Sequence, residues 1–315
     1  MLKPIHLLAC SLAFAILLFG TLPAEAQGQT TSKVPITTTV TVLGPKFTTP
    51  PPIAKDDISV YSGKTRWDVL DWSPAQGEKA GLQMAIVIDN SASQTAVGTQ
   101  LNDLASFVRL QSKTTAVGIF YAVNGTVQTA SNFSTNHEAV AKTLRLPFGL
   151  RAGASPSVYL SLSELVKHWP ATGARREILL ISSGVDRLDR GPQSPYVQSA
   201  VDNIQKAGIV VHTIYTGTSL RFGTSLRGQY AQQNLDAITS GSGGEALFQG
   251  VTAPVSFSPY LKQLDMVLHN QYLLTFAAPR SNKRAGELRE IRVRVEQRNV
   301  DIKYSKQVLV PGPAN

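Results

Sequence analysis

The sequence predicts an α/β fold: a doubly wound, mostly parallel sheet with β segments flanking it at both ends. Three observations carry that prediction. "LQMAIVID" (82–89), "EILLISSG" (177–184) and "IVVHTIYTG" (209–217) are near-continuous apolar runs, as expected of strands buried on both faces of a parallel sheet. Stretches of roughly 10–15 residues with helical spacing separate such runs, which argues for right-handed βαβ units. Residues 36–73 and the tail from 271 instead alternate apolar with polar, as half-buried strands do.

Residues 1–26 read as a cleaved signal peptide. Lys3 gives a basic start, Leu7 to Phe19 is almost wholly apolar, and Ala24-Glu25-Ala26 is a small-residue cleavage site. The apolar run is too short for a membrane span, so no transmembrane segment is expected after signal removal. Cys10, the chain's one cysteine, falls in this peptide, which leaves the exported part without disulfides or thiol chemistry. Localisation is therefore expected to be periplasmic or secreted.

Residues 27–80 are a polar leader and an N-terminal β segment. "ITTTVTVLG" (36–44) alternates, and "ISVYSGKTRWDVLDW" (58–72) reads as two strands around Ser62 and Gly63. The α/β domain is expected over 81–255. A helix from about Gly98 to Ser112 puts Leu101, Leu104, Ala105 and Val108 on one face. "TTAVGIFYAVNGTVQTAS" (114–131) is a strand, an Asn124-Gly125 hairpin and an edge strand. Helices are expected near 136–145 and 156–169, then one ending on Gly208 and another at about 229–239, before the short strand "EALFQ" (245–249). Residues 256–315 comprise a linking helix near 258–269 and three strands, "QYLLTFAA", "ELREIRVRVEQ" and "VDIKYSKQVLV". Head and tail strands are expected to pack together as a small β-sandwich.

The net charge of +9 raises the prospect of an anionic partner, but the basic residues are scattered, with no run and no aromatic interleaving. Together with export, this excludes nucleic acid as a partner.

In open parallel sheets, ligands sit beyond the carboxyl ends of the strands, and Asp89 ends the first buried strand. It opens Asp89-x-Ser91-x-Ser93, a set of hard oxygen donors that suits Mg²⁺. The same residue types ahead of a helix are also what N-capping requires. Both readings stand on the residues alone.

The stretch resembles the metal-ion-dependent adhesion site of von Willebrand factor type A (VWFA) domains, whose first loop reads Asp-x-Ser-x-Ser after a buried strand. The resemblance extends over the order of elements from about 83 to 250. The tail, "NQYLLTFAAP…GELREIRVRV…YSKQVLVPG", is similar to that of bacterial exported VWFA-related proteins. It implies a divalent ion, Mg²⁺ or Mn²⁺, on Asp89, Ser91 and Ser93, with a partner's carboxylate as last ligand. The family's second-loop Thr has its counterpart in Ser155, or in Ser157; Pro156 between them would be a first helical residue, and Ser155 then an N-cap. Where the third loop carries Asp before Gly, this chain has Ser183 before Gly184, and Asp186 is the nearest carboxylate. One carboxylate in place of two removes much of the attraction that offsets dehydrating a small ion. A capped turn without metal is the expectation favoured over a bound ion.

Other candidates weigh less. "HEAVA" (137–141) lacks the second His of a zinc-protease helix, and Glu138 suits a helix start. No histidine neighbours a nucleophile motif, and there is no Gly-x-Ser-x-Gly elbow, so no enzyme activity is expected. "GTSLRFGTSLRG" (217–228) duplicates six residues and could present Arg221 and Arg227 to an anion, or be a tolerated loop insertion. The expected function is an exported VWFA-like binding or adhesion module that recognises a protein or cell-surface ligand through the strand-end loops. The alternative is a structural or assembly component of an envelope complex, with a vestigial, metal-free A domain.

Overall fold

The computed structural model describes residues 32–149, 156–188, 194–217, 226–250 and 252–313. The expected signal peptide with Cys10, Ser155 and Arg221 all lie outside the described residues. Three head strands come first: β1 (Lys33–Leu43), β2 (Ile58–Ser62) and β3 (Thr65–Pro74), the last two joined at Gly63 with φ 57°.

The α/β layer opens with β4 (Leu82–Asp89), buried at every residue. The helix expected over 98–112 is α2 (Leu101–Arg109), and a short α1 (Gln94–Gly98) precedes it. Between them the buried Gln100 side chain donates to the carbonyls of Pro254 (3.0 Å) and Val255 (3.2 Å), a tertiary anchor invisible to periodicity. β5 (Thr115–Val123) and β6 (Thr126–Ser134) form the hairpin, with Asn124 and Gly125 both at positive φ, 49° and 83°. α3 (His137–Ala141) ends earlier than its expected 145. α4 (Val158–Lys167) starts after Ser157, whose hydroxyl accepts from Leu160 N at 3.4 Å; Pro156 precedes the cap instead of opening the helix.

β7 (Arg175–Ser182) leads to α5 (Pro195–Ala207), which ends on Gly208 at φ 62° with Ile209 N donating to Ile204 O at 3.1 Å, a Schellman closure. β8 (Val210–Tyr215) is followed by α6 (Leu226–Ser242), longer at both ends than its expected 229–239. Its buried face mixes Ala231, Leu235 and Ile238 with Asn234, Thr239 and Ser242, so the apolar period under-reports it. β9 (Ala246–Phe248) and α7 (Ser258–His269) complete the layer.

The tail departs from expectation. After β10 (Gln271–Pro279), the two long strands expected over 287–297 and 300–310 are each divided, giving β11 (Glu287–Glu290), β12 (Arg292–Val295), β13 (Asp301–Tyr304) and β14 (Gln307–Val310). The chain turns a corner at buried Ile291, whose N–H donates to Lys306 O at 3.0 Å.

The α/β sheet runs β6-β5-β4-β7-β8-β9, parallel except for the antiparallel edge strand β6. Met84, Ile86 and Ile88 of β4 join a core with α1, α2, α3 and α7. Ala85 and Val87, on the opposite face, join one with α4, α5 and α6. Helices thus cover both faces, the doubly wound arrangement. Head and tail strands share a second, antiparallel sheet ordered β12-β2-β3-β10-β1-β13. The β11–β14 ribbon adds Val308 and Val310 to its core, where Trp67 and Phe276 stack at 5.6 Å. Among the described residues no helix is long and apolar enough to cross a membrane.

Two glycines between α6 and β9 make close approach possible. A Cβ on Gly244 would lie 1.9 Å from Val211 O, and one on Gly243, at φ 82°, 2.3 Å from the Tyr304 carbonyl carbon. Gly244→Ala must therefore push β8 away from the turn. It is expected to lower the unfolding free energy by about 2–3 kcal/mol in urea titration; an unchanged midpoint would contradict this packing.

Candidate functional site

Counted from β4, the strand order of the α/β sheet is 3-2-1-4-5-6, so its switch point lies between β4 and β7. Asp89 ends β4 and Ser182 ends β7, one step beyond the paired Ile88 and Ile181. The buried Asp89 carboxylate is engaged on both oxygens. Oδ2 accepts from Ser182 Oγ at 2.7 Å; Oδ1 accepts from Ser91 Oγ at 2.6 Å and Ser91 N at 2.9 Å. Ser182 Oγ in turn accepts from Gly184 N at 2.9 Å. The ends of the two central strands are joined by these charge-assisted hydrogen bonds.

Ser93 is exposed at the N-cap position of α1. Its hydroxyl shares a 2.7 Å hydrogen bond with Thr95 Oγ1 and does not cap a backbone N–H. Ser183 is half-buried beside Ser182. Gly184 sits at φ 66° against α6, where a Cβ would come within 2.6 Å of Ala231 O. Asp186 is buried and faces the starts of α4 and α5. Its Oδ1 accepts from Leu188 N at 2.9 Å, and its Oδ2 from Ser157 Oγ (3.2 Å) and Ser194 Oγ (3.4 Å), both N-cap serines. Arg227 is the second residue of α6. Among the described residues, no group of three His, Cys, Asp or Glu is placed to hold a metal ion.

Several contributors carry no motif. Tyr159, fully buried, donates its hydroxyl to Gly184 O at 2.6 Å. Burial above all, then the Asp186 and Asp89 charges, push its phenol well above the ordinary range. Buried Asn90 accepts from Phe148 N (3.1 Å) and Arg145 Nη1 (3.3 Å). The Arg145 guanidinium lies over the rings of Tyr121 (3.8 Å) and Phe148 (4.4 Å). Tyr121 OH donates to Arg145 O at 2.7 Å. These contacts bind segment 145–148 across the end of β4.

Exposed apolar side chains stand on the segments that follow the strand ends. Phe148 is 52% exposed and Val255 95%, and Leu146, Leu188 and Leu226 are exposed too. Leu146 packs against Gly98, and the Val255 carbonyl is held by Gln100, so both stand on the α1–α2 side of Asp89. The other titratable candidates are structural. His212, fully buried, hydrogen-bonds Glu177 Oε2 through Nε2 at 2.8 Å, and its Nδ1 lies 3.0 Å from Glu245 N. Glu138 pairs with Arg109 at 2.6 Å and Lys142 at 3.5 Å, contacts that hold its carboxyl below the usual range.

The sheet order, with Asp-x-Ser-x-Ser closing its central strand, gives the fold its type. It is the doubly wound sheet that the sequence predicts. No family model matches the chain, and no curated protein matches it. Among solved structures, it is similar to an aerotolerance-related membrane protein from Bacteroides fragilis, with 14% identity over 60% of this chain and 98% of that one, TM-score 0.42. It is also similar to BatB from Bacteroides thetaiotaomicron (16% identity, 44% and 67% covered, TM-score 0.31). The SpRpn10 VWA domain is a third (12% identity, 59% and 93% covered, TM-score 0.37).

Ser182→Ala would strip a buried carboxylate oxygen and the Gly184 N–H of their partner. It is expected to cost about 1–3 kcal/mol in urea unfolding; a loss under about 0.5 kcal/mol, the scale of a neutral surface change, would speak against the strand-end link. Because Tyr159's folded pKa is raised, its contribution is complete below the ordinary phenol range, about 10, and is lost as pH rises toward the folded value. Stability should fall on that alkaline side, and less steeply in Tyr159→Phe; equal slopes in pH-dependent denaturation would count against the buried neutral phenol.

Proposed function

We propose that the chain is a protein-binding module that engages its partner through the strand-end loops and works without a resident ion. The observation that carries this reading is the exposed apolar set of Leu146, Phe148, Leu188, Leu226 and Val255 on the segments that follow the strand ends. Large exposed apolar side chains around a rigid polar centre are what a protein contact uses as anchors. Asn90 and Arg145 hold Phe148 in place, so little ordering is required on binding. The partner binds outside the cytoplasm, following export directed by residues 1–26.

The ion-free part rests on Asp89. Both its oxygens are spent on protein donors, and the second carboxylate of the neighbourhood, Asp186, serves Ser157, Ser194 and Leu188. With Ser183 at the third loop, the described residues offer a single carboxylate, a poor match for an ion that must be largely dehydrated.

A photo-crosslinking residue at position 148 should capture a protein partner in native extract, with the same yield in chelator. The same probe at Leu110, on the far end of α2, should not. Equal capture from both positions would end the strand-end reading. Calorimetric titration with Mg²⁺ or Mn²⁺ is expected to give no binding heat for the natural chain and to give it for Ser183→Asp; binding by the natural chain would refute the ion-free site.

A further inference from the structure

The two edges of the antiparallel sheet are finished differently. At one edge, β13 is covered: Lys303 pairs with Glu245 at 2.6 Å, and the Gly243 backbone packs on Tyr304 and Ser305. At the other edge is β12, whose one strand neighbour is β2. Among the described residues, no backbone hydrogen bond joins Arg292–Val295 to anything but β2. Such an edge is a template for another strand.

Its exposed face is also distinctive. Arg292 and Arg294 alternate with the core residues Val293 and Val295, and both guanidinium carbons lie 5.5 Å from the Tyr61 ring. On the far side of that ring, Arg66 stands directly opposite Tyr61 in the β2–β3 register. Two exposed arginines therefore lie against one aromatic ring with exposed Arg66 in the register position across from it, and none of the three forms an ion pair among the described residues. Asp68, the carboxylate near Arg66, is paired to Lys33 at 2.6 Å. Like charges two residues apart on a short strand repel, and among the described residues no ion pair offsets them.

We propose that β12 accepts an added strand from a partner protein, an extended acidic segment carrying Asp or Glu at alternate positions. Main-chain hydrogen bonds would extend the sheet past β12, and the acidic side chains would lie on the Arg292–Tyr61–Arg294 face. A second copy of this chain is the wrong occupant, because antiparallel pairing of two β12 strands about Val293 sets Arg292 opposite Arg294, and pairing about Arg294 sets that arginine opposite itself. The surface belongs to a different layer from the strand-end apolar side chains, so partner capture from position 148 is independent of it.

The test is fluorescence anisotropy on the full chain with a labelled peptide alternating valine and glutamate. Binding is expected, to weaken at least tenfold with Arg292→Glu/Arg294→Glu and to survive Arg292→Lys/Arg294→Lys. It should vanish when the peptide's alternate amides are N-methylated, which removes donors and keeps the charge. Equal binding of the N-methylated peptide would overturn strand addition in favour of a charge contact alone. Binding of vesicles rich in anionic phospholipid, with no binding of the peptide, would assign the patch to a membrane and overturn the proposal. No binding of either would leave the arginine row as protection of the edge, and overturn it as well.

Discussion

The hydrogen bond from Ser182 to Asp89 holds together the one place where the α/β sheet changes direction. At a switch point the connections leaving neighbouring strands diverge to opposite faces, and the crevice between them has to be closed or filled. Here a buried carboxylate closes it, drawing in Ser182 from β7 and Ser91 from its own loop. Everything above the strands is arranged on that closure. Gly184 turns back over α6, Tyr159 reaches up to its carbonyl, and Asn90, next to Asp89, receives the Arg145–Phe148 segment. The result is a polar floor with internally paired groups, and the segments that follow the strand ends expose apolar side chains.

The antiparallel sheet is organised by a different constraint. β10, from the tail, lies between β1 and β3 of the head, so neither end of the chain can complete a sheet without the other. Along the chain the α/β layer is thereby inserted between the strands of one sheet, and Arg175 donates to Gln271 at the start of β10. This interleaving exposes β12 as an outer strand while β13 is tucked against the turn after α6.

Legibility in the sequence followed the range of the forces involved. The buried strands β4, β7 and β8 were readable because burial on both faces leaves an unbroken apolar run, and the Asn124-Gly125 turn because its backbone needs positive φ. The position of Asp89 at the end of the first buried strand was readable too. What sequence could not supply was partner choice. It drew attention to Ser183, where a carboxylate was missing, whereas the contact to Asp89 is made by Ser182, the last residue of β7. Asn90 and Arg145 carry no local pattern, since their meeting depends on segments 55 residues apart. The division of the tail strands was hidden for a similar reason: their alternation continues through Ile291 while the pairing partner changes from β14 to β2.

A crystal structure of the chain grown in excess Mg²⁺ addresses the proposal of an ion-free strand-end link most directly. The expected result is Ser182 Oγ still within hydrogen-bonding distance of Asp89, with no ion in the loop. An ion with oxygen ligands at about 2.0–2.1 Å, bound by Asp89, Ser91 and Ser93 with Ser182 displaced, would contradict it.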